Sequence, residues 1–171
     1  MSLSDEDPCV KYTIPDVKIV AEPFSAPESR ELDQERQEEI DGRYGHDAEP
    51  GVKPTEADLE VFLVARDGHG RALGCGALRA LGGGAVELKR MYVRPRARRT
   101  GLGRRIVEAL EAEARGRGFE VCRLETGVEQ HEALALYQGA GYREIECFGA
   151  YASSPISRCF ERRIGPRRPR S

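Results

Sequence analysis

RARRTGLGRRIV, residues Arg96 to Val107, is the stretch on which the fold turns. Before it, AVELKRMYV (Ala85 to Val93) reads as a β-strand that Pro95 stops. After it, Ile106, Val107, Leu110 and Ala114 recur at helical spacing as far as Gly116 and Gly118, which supply the C-terminal stop. A strand that passes through a turn with two glycines straight into a helix gathers backbone N–H groups at the positive end of a helix dipole. That geometry binds phosphate. Glycine is needed because a Cβ would hold the ligand off the backbone, and the arginines add charge-assisted contacts. Two nucleotide motifs with such a loop do not fit. A Walker loop needs Lys-Ser or Lys-Thr after its glycines, where this chain has arginines, and the third glycine of the Rossmann spacing is replaced by Ile106.

Working outward, VKIVAE (Val17 to Glu22) alternates apolar and polar residues as a first strand does. A helix is expected over Ala26 to Gly45, with Pro27 near its start, Ser29 as a cap, Leu32 and Ile40 as apolar anchors, and Gly42 and Gly45 to end it. Period-two patterning then gives a hairpin, Glu60 to Arg66 and Ala72 to Leu81, turning through Asp67–Gly70. The strand at Ala85 comes next as a third antiparallel member. FEVCRLET, from Phe119, is a short strand reached by a helical crossover. EALALYQGAG is a short helix, and YREIECF and SRCFERRI make a last pair of strands. This order describes a mixed α/β (α+β) domain around one mostly antiparallel sheet flanked by helices. We expect that domain over 16–165, with flexible ends at 1–15 and 166–171.

Composition narrows the function class. The chain has 171 residues, and no apolar run approaches the roughly 20 residues of a membrane helix, nor does the acidic start resemble a secretory signal. Five cysteines stand singly, without a CxxC pair, as suits buried thiols in a reducing, cytoplasmic compartment. His46, His69 and His131 lack metal-ligand spacing, so no metal is expected. The net charge of −2 conceals an asymmetry: residues 1–60 carry 17 acids against 6 bases, and residues 61–171 carry 12 against 21. One part could face an anion and the other a cation. Nucleic acid is a poor match, because Tyr92 is the aromatic close to the arginines and the total charge is acidic.

The motif Arg98-Arg99-Thr100-Gly101-Leu102-Gly103 resembles the Q/R-x-x-G-x-G/A signature of the GNAT superfamily of acyl-CoA-dependent N-acyltransferases. The preceding strand ELKRMYV, the helix after the loop, the strand CRLET and the segment ALALYQGAGY all occur in that family's order. The resemblance implies a strand that splays from its neighbour before the phosphate loop, with acetyl-CoA as co-substrate in the cleft. It implies a pyrophosphate site at Arg98, Arg99, Thr100, Gly101, Leu102, Gly103 and Arg104. Met91, Tyr92 and Val93 would follow the pantetheine arm, with Gln130 and Tyr137 completing the cofactor contacts. Gln130 stands where many members have asparagine, and Tyr142 where phenylalanine is commoner.

The implied reaction is direct attack of an amine on the thioester, which needs a base, an oxyanion donor and an acid for the leaving thiolate. By resemblance Tyr137 is the acid, Glu87 the base and the Met91 N–H the oxyanion donor; a surface pairing of Glu87 with Lys89 or Arg79 is the competing reading. The acceptor is expected at GRYGHDAE and FGAYASSP, with Tyr44, His46, Asp47 and Tyr151 available. A small primary amine, cationic if the acidic first third faces it, is the first reading. The alternatives are a protein or peptide N-terminus, and a non-catalytic acyl-CoA sensor. The reading also allows a homodimer, and involves neither membrane nor nucleic acid.

Overall fold

The structure is a computed structural model that describes residues 13–165. The expectations for residues 1–12 and 166–171, and Cys9, lie outside the described residues. In chain order the elements are β1 (Lys18–Ala21), α1 (Pro27–Tyr44), β2 (Val61–Arg66), β3 (Ala72–Gly82), β4 (Ala85–Val93), α2 (Leu102–Gly116), β5 (Val121–Gly127), α3 (His131–Gly139), β6 (Arg143–Ile145) and β7 (Ser157–Arg163). The strands form one sheet in the order β1-β2-β3-β4-β5-β7-β6. Every neighbouring pair is antiparallel except β4 and β5, which the α2 crossover makes parallel.

Each face of the sheet has its own core. On one, Ile106, Val107, Leu110 and Ala114 of α2 meet Leu78, Val86, Leu88, Cys122, Leu124 and Phe160, with Leu134 and Tyr137 of α3 in the same cluster. Gly76 permits this approach: a Cβ there would lie 2.7 Å from both Leu110 Cδ1 and Met91 Sδ. On the other face Phe24, Leu32, Phe62, Val64, Cys75 and Tyr92 pack together. Cys75, Cys122 and Cys159 are buried free thiols.

α1 is bound differently from α2. Only Ser29, Leu32 and Arg36 are buried along it, so little of its hold on the sheet is apolar. Ion pairs tie it down instead: Arg94 with Glu31 and Glu35, Arg98 with Glu39, and Arg90 with Asp33. Arg66 of β2 likewise holds Glu22 and Glu28. Part of the charge of the first third is thus met inside the molecule, by Arg66, Lys89, Arg90, Arg94, Arg98 and Arg117. Ser29 is not the cap. Ala26 holds that position, Pro27 opens the helix, and the Ser29 hydroxyl is buried without a partner among the described residues. Gly45 ends the helix in the left-handed region, φ 74°, its N–H bonded to the Asp41 carbonyl.

β4 is irregular on both of its edges. Its parallel pairing with β5 runs from Ala85↔Val121 to Leu88↔Leu124 and then stops, leaving the β5-facing backbone of Lys89–Val93 without a strand partner. On the other edge, Ala77 pairs with Lys89 and Cys75 with Tyr92, so Arg90 and Met91 bulge opposite Gly76. Arg90 adopts φ 57°, a conformation costly for a non-glycine residue.

Candidate active site

Where β4 and β5 part, a cleft of about 660 Å³ opens, within the usual range for small-ligand sites. β4 lines it from Glu87 to Val93, β5 from Glu125 to Gly127, α1 and residues 48–50 from one side, and the loop leading into α2 from the other. The cleft arises from the sheet itself: two strands held at one end and separated at the other leave unpaired backbone and a wedge of space.

One end is built for an anion. Gly101, at φ 82°, precedes the first residue of α2, and a Cβ built on it would meet no heavy atom within 4 Å. The first-turn amides Leu102, Gly103 and Arg104 have no carbonyl four residues back in the helix and face the positive end of its dipole. Gly103 lies against Leu136 of α3, 3.3 Å from a built Cβ. This cradle suits a phosphate-bearing group.

The arginines of the loop divide by partner. Arg98 donates from Nε to the Val93 carbonyl (2.8 Å) and pairs with Glu39 at 2.6 Å, so its side chain ties the loop to α1. Arg104 bonds Glu108 and the Gly139 carbonyl. Arg96 donates to the Ala72 carbonyl and Arg105 to that of Val17. Arg99, in the left-handed region at φ 62°, has no side-chain hydrogen bond or ion pair among the described residues, and it lines the cleft. Thr100 is not among the lining residues, and its hydroxyl donates to the Ala97 carbonyl at 2.7 Å and closes the turn before α2.

The other end holds a buried polar network. Glu87 is 1% exposed; its Oε1 accepts from the Tyr151 hydroxyl at 2.6 Å and its Oε2 from Arg79 at 3.2 Å. Lys89 donates to the Tyr151 hydroxyl at 2.7 Å and lies 3.6 Å from both Glu87 and Glu49. Arg90 bonds Glu49 at 2.9 Å. Glu87 therefore lines the cleft and is also paired with both Lys89 and Arg79.

A second carboxylate, not marked out by the sequence, stands in the same cleft. Glu125 lies one residue beyond the last β4–β5 pair. Burial pushes its carboxyl above the ordinary value, against the opposing pull of a hydrogen bond from Ser157 and the nearby Lys89 charge. It has no ion-pair partner within contact distance among the described residues. Tyr137, 5% exposed, stands within the field of Glu125: burial first, and that charge second, raise its hydroxyl. The Tyr137 hydroxyl has no hydrogen bond among the described residues, while its ring packs edge-on against Tyr142, centroids 6.0 Å apart. The available signal for Glu125 is its place in CRLET, but period-two alternation alone does not say which face of a strand meets a cleft.

The structure gathers Met91, Tyr92, Val93, Arg98, Arg99, Gly101, Leu102, Gly103, Arg104, Gln130, Tyr137, Glu87, Tyr44 and Tyr151 around this one cleft. It does not bring in His46, which is exposed, with Nδ1 2.8 Å from the Tyr44 carbonyl oxygen, nor Asp47, which pairs with Lys53. Tyr44 reaches the wall, but its hydroxyl accepts from the Glu129 N–H at 3.1 Å. Among the described residues no group of three His, Cys, Asp or Glu side chains could hold a metal ion.

Residues 18–142 match the model of the acetyltransferase (GNAT) family. The chain is 41% identical over 133 residues to an IAA acetyltransferase of Azospirillum brasilense, covering 73% of this chain and 86% of that protein. It is 31% identical over 121 residues to the uncharacterized N-acetyltransferase YjgM of Escherichia coli, covering 63% and 72%. Among solved structures, a Klebsiella pneumoniae protein assigned as an acyl-CoA N-acyltransferase superposes with a TM-score of 0.75 at 30% identity, over 86% of this chain and 97% of that one. A GNAT family acetyltransferase of Elizabethkingia anophelis with acetyl-CoA bound shares the fold, TM-score 0.64 at 14% identity, over 87% and 99%.

Proposed function

This chain belongs to the GNAT family and is an acyl-CoA-dependent N-acetyltransferase that uses acetyl-CoA; on that premise we propose that its acceptor is the primary amine of a small molecule, acetylated by direct attack on the thioester, and that residues 16–165 form the domain that does so. The observation that carries the reading is the fork between β4 and β5, with the Gly101–Arg104 cradle at one end and Glu125, Tyr137 and Tyr151 at the other. The acyl donor supplies the thioester carbonyl and the thiolate leaving group.

In this reading the amides of Leu102 to Arg104 and the Arg99 side chain hold the pyrophosphate, and the edge of Met91 to Val93 that β5 leaves without a strand partner holds the arm, with the Met91 N–H as oxyanion donor. Arg98 acts indirectly, by fixing the loop against Glu39. Glu125, the cleft carboxylate without a cation, accepts the proton of the attacking ammonium. Glu87, its oxygens already engaged, orients Tyr151 toward the acceptor and keeps the Lys89 charge compensated. Tyr137, kept protonated by burial, gives its proton to the departing thiolate. The N–C bond forms and the C–S bond breaks; of the two protons the ammonium loses, one passes to Glu125 and on to solvent, and the other replaces the proton that Tyr137 gives to the thiolate.

A small acceptor is supported by the walls at that end. α1, residues 48–50 and Tyr151 line that end, where Tyr151 is held by Lys89 and Glu87, and Glu49 by Lys89 and Arg90, which suits a small acceptor. The name of the Azospirillum relative points the same way. A thiol-release screen with acetyl-CoA against small amines and peptide N-termini tests the proposal. Turnover confined to small amines is expected, and faster turnover of peptides than of every small amine would overturn it.

A further inference from the structure

Thr126 is the residue after Glu125 on β5, so its side chain leaves the opposite face of the strand, the face on which Leu124 and Cys122 meet α2 and α3. It is 3% exposed, lines the cleft, and its hydroxyl has no hydrogen-bond partner among the described residues. A threonine in a paired strand ordinarily spends its hydroxyl on a neighbour, and a buried hydroxyl left without one is unfavourable. At Thr126 one of the two usual neighbours has gone, because β4 separated from β5 two residues earlier, and on the other edge Thr126 pairs with Arg158 of β7. Thr126 thus lines the fork with its hydroxyl oxygen buried, on the face of β5 that Leu124 and Cys122 share with Tyr137, where the arm of the acyl donor enters under the proposed function.

We propose that Thr126 is a positioning residue for the acyl donor: its hydroxyl hydrogen-bonds a polar group of the pantetheine arm close to the thioester and so aligns the carbonyl between Glu125 and Tyr137. The proposal rests on the placement of the donor in this cleft. Glu125 and Thr126, adjacent in sequence and opposite in direction, then serve the two substrates from one strand: the carboxylate meets the amine and the hydroxyl meets the donor.

Thr126→Val keeps the shape and removes the hydroxyl. Calorimetric titration of the purified protein with coenzyme A, and with ADP, which carries a pyrophosphate without the arm, separates the contacts. Coenzyme A should bind Thr126→Val about fivefold more weakly, as the loss of one hydrogen bond implies. Binding of ADP should not change, Thr126→Ser should keep coenzyme A affinity within about twofold, and the ligand-free Tm of Thr126→Val should stay level or rise because an unsatisfied hydroxyl is gone. A fall in Tm together with weaker binding of both ligands would mean a merely structural residue and overturn the proposal. Arg99→Ala serves as the control for the placement. If it weakens both ligands while Thr126→Val weakens neither, the placement stands and the role of Thr126 falls; if Arg99→Ala changes neither affinity, the placement fails and takes the proposal with it.

Discussion

Gly127→Ala tests how α1 is fastened across the fork. Gly127 ends β5, and its φ lies outside the left-handed region, so alanine is tolerated by the backbone itself and would by that route stabilise the chain by about 0.4–1 kcal/mol. The obstacle is Tyr44: a Cβ at 127 would collide with its Oη and lie 2.7 Å from its Cζ, well inside the ~3.5–4.0 Å of ordinary carbon contact. Relief requires the ring to swing away, which breaks the bond from the Glu129 N–H, at about 1 kcal/mol, and strains the side chain by about 0.5–1.5 kcal/mol. The net expectation is a loss of about 1 kcal/mol, or roughly 2–4 °C in Tm for a chain of this length. In a Tyr44→Ala background the same substitution meets no ring, and should be neutral or stabilising. Urea unfolding of the four proteins of this cycle, read as midpoints at constant m, measures the coupling. An equal cost of Gly127→Ala in both backgrounds would refute the steric account.

The cleft itself yields three further expected outcomes. Tyr137→Phe removes a hydroxyl without a protein partner, so Tm should hold while kcat falls about a hundredfold and the KM for acetyl-CoA moves little; undiminished kcat would remove Tyr137 as the acid. For Glu125 the folded carboxyl titrates above its ordinary value, so the folded state binds more protons within that window and stability declines as pH rises through it. Glu125→Gln should therefore raise Tm at neutral pH while abolishing the limb of the kcat/KM profile on which the rate falls with acidity, and an unchanged profile would exclude Glu125 as the base. Glu87→Gln leaves Lys89 with Glu49 alone and strips Arg79 of its partner, for a loss of about 3 kcal/mol. Thermal unfolding should show most of that recovered in Glu87→Gln/Lys89→Met, and a single variant as stable as the wild type would contradict the network.

The local chemistry of this chain is legible residue by residue. Pro95 ending β4, the Gly101–Gly103 turn, the helical spacing of Ile106 to Ala114 and the Gly45 stop of α1 are short-range effects of backbone freedom and hydrophobic period, and they appear where those rules place them. Tyr137 stands out because it lies in a segment with a specific pattern. Ser29 illustrates the boundary: a residue suited to a cap lies inside the first turn because Pro27 has already fixed where the helix begins.

What the sequence determined by itself was the order of elements, the Gly101–Gly103 turn into α2 and, through its motifs, the acetyltransferase family. Tertiary structure decided the rest, since the remaining questions turn on contacts between distant residues. β7 enters between β5 and β6 although β6 precedes it, an arrangement no local pattern encodes. The charge asymmetry became interlocking pairs between α1 and the sheet once burial and distance selected partners far apart in the chain, as in Glu39 with Arg98, 59 residues away. The separation of β4 from β5 turned Glu125 and Thr126, two unremarked residues of a strand, into the opposed polar walls of the cleft, because a side chain's chemistry depends on what is buried beside it and on which partners the fold withholds.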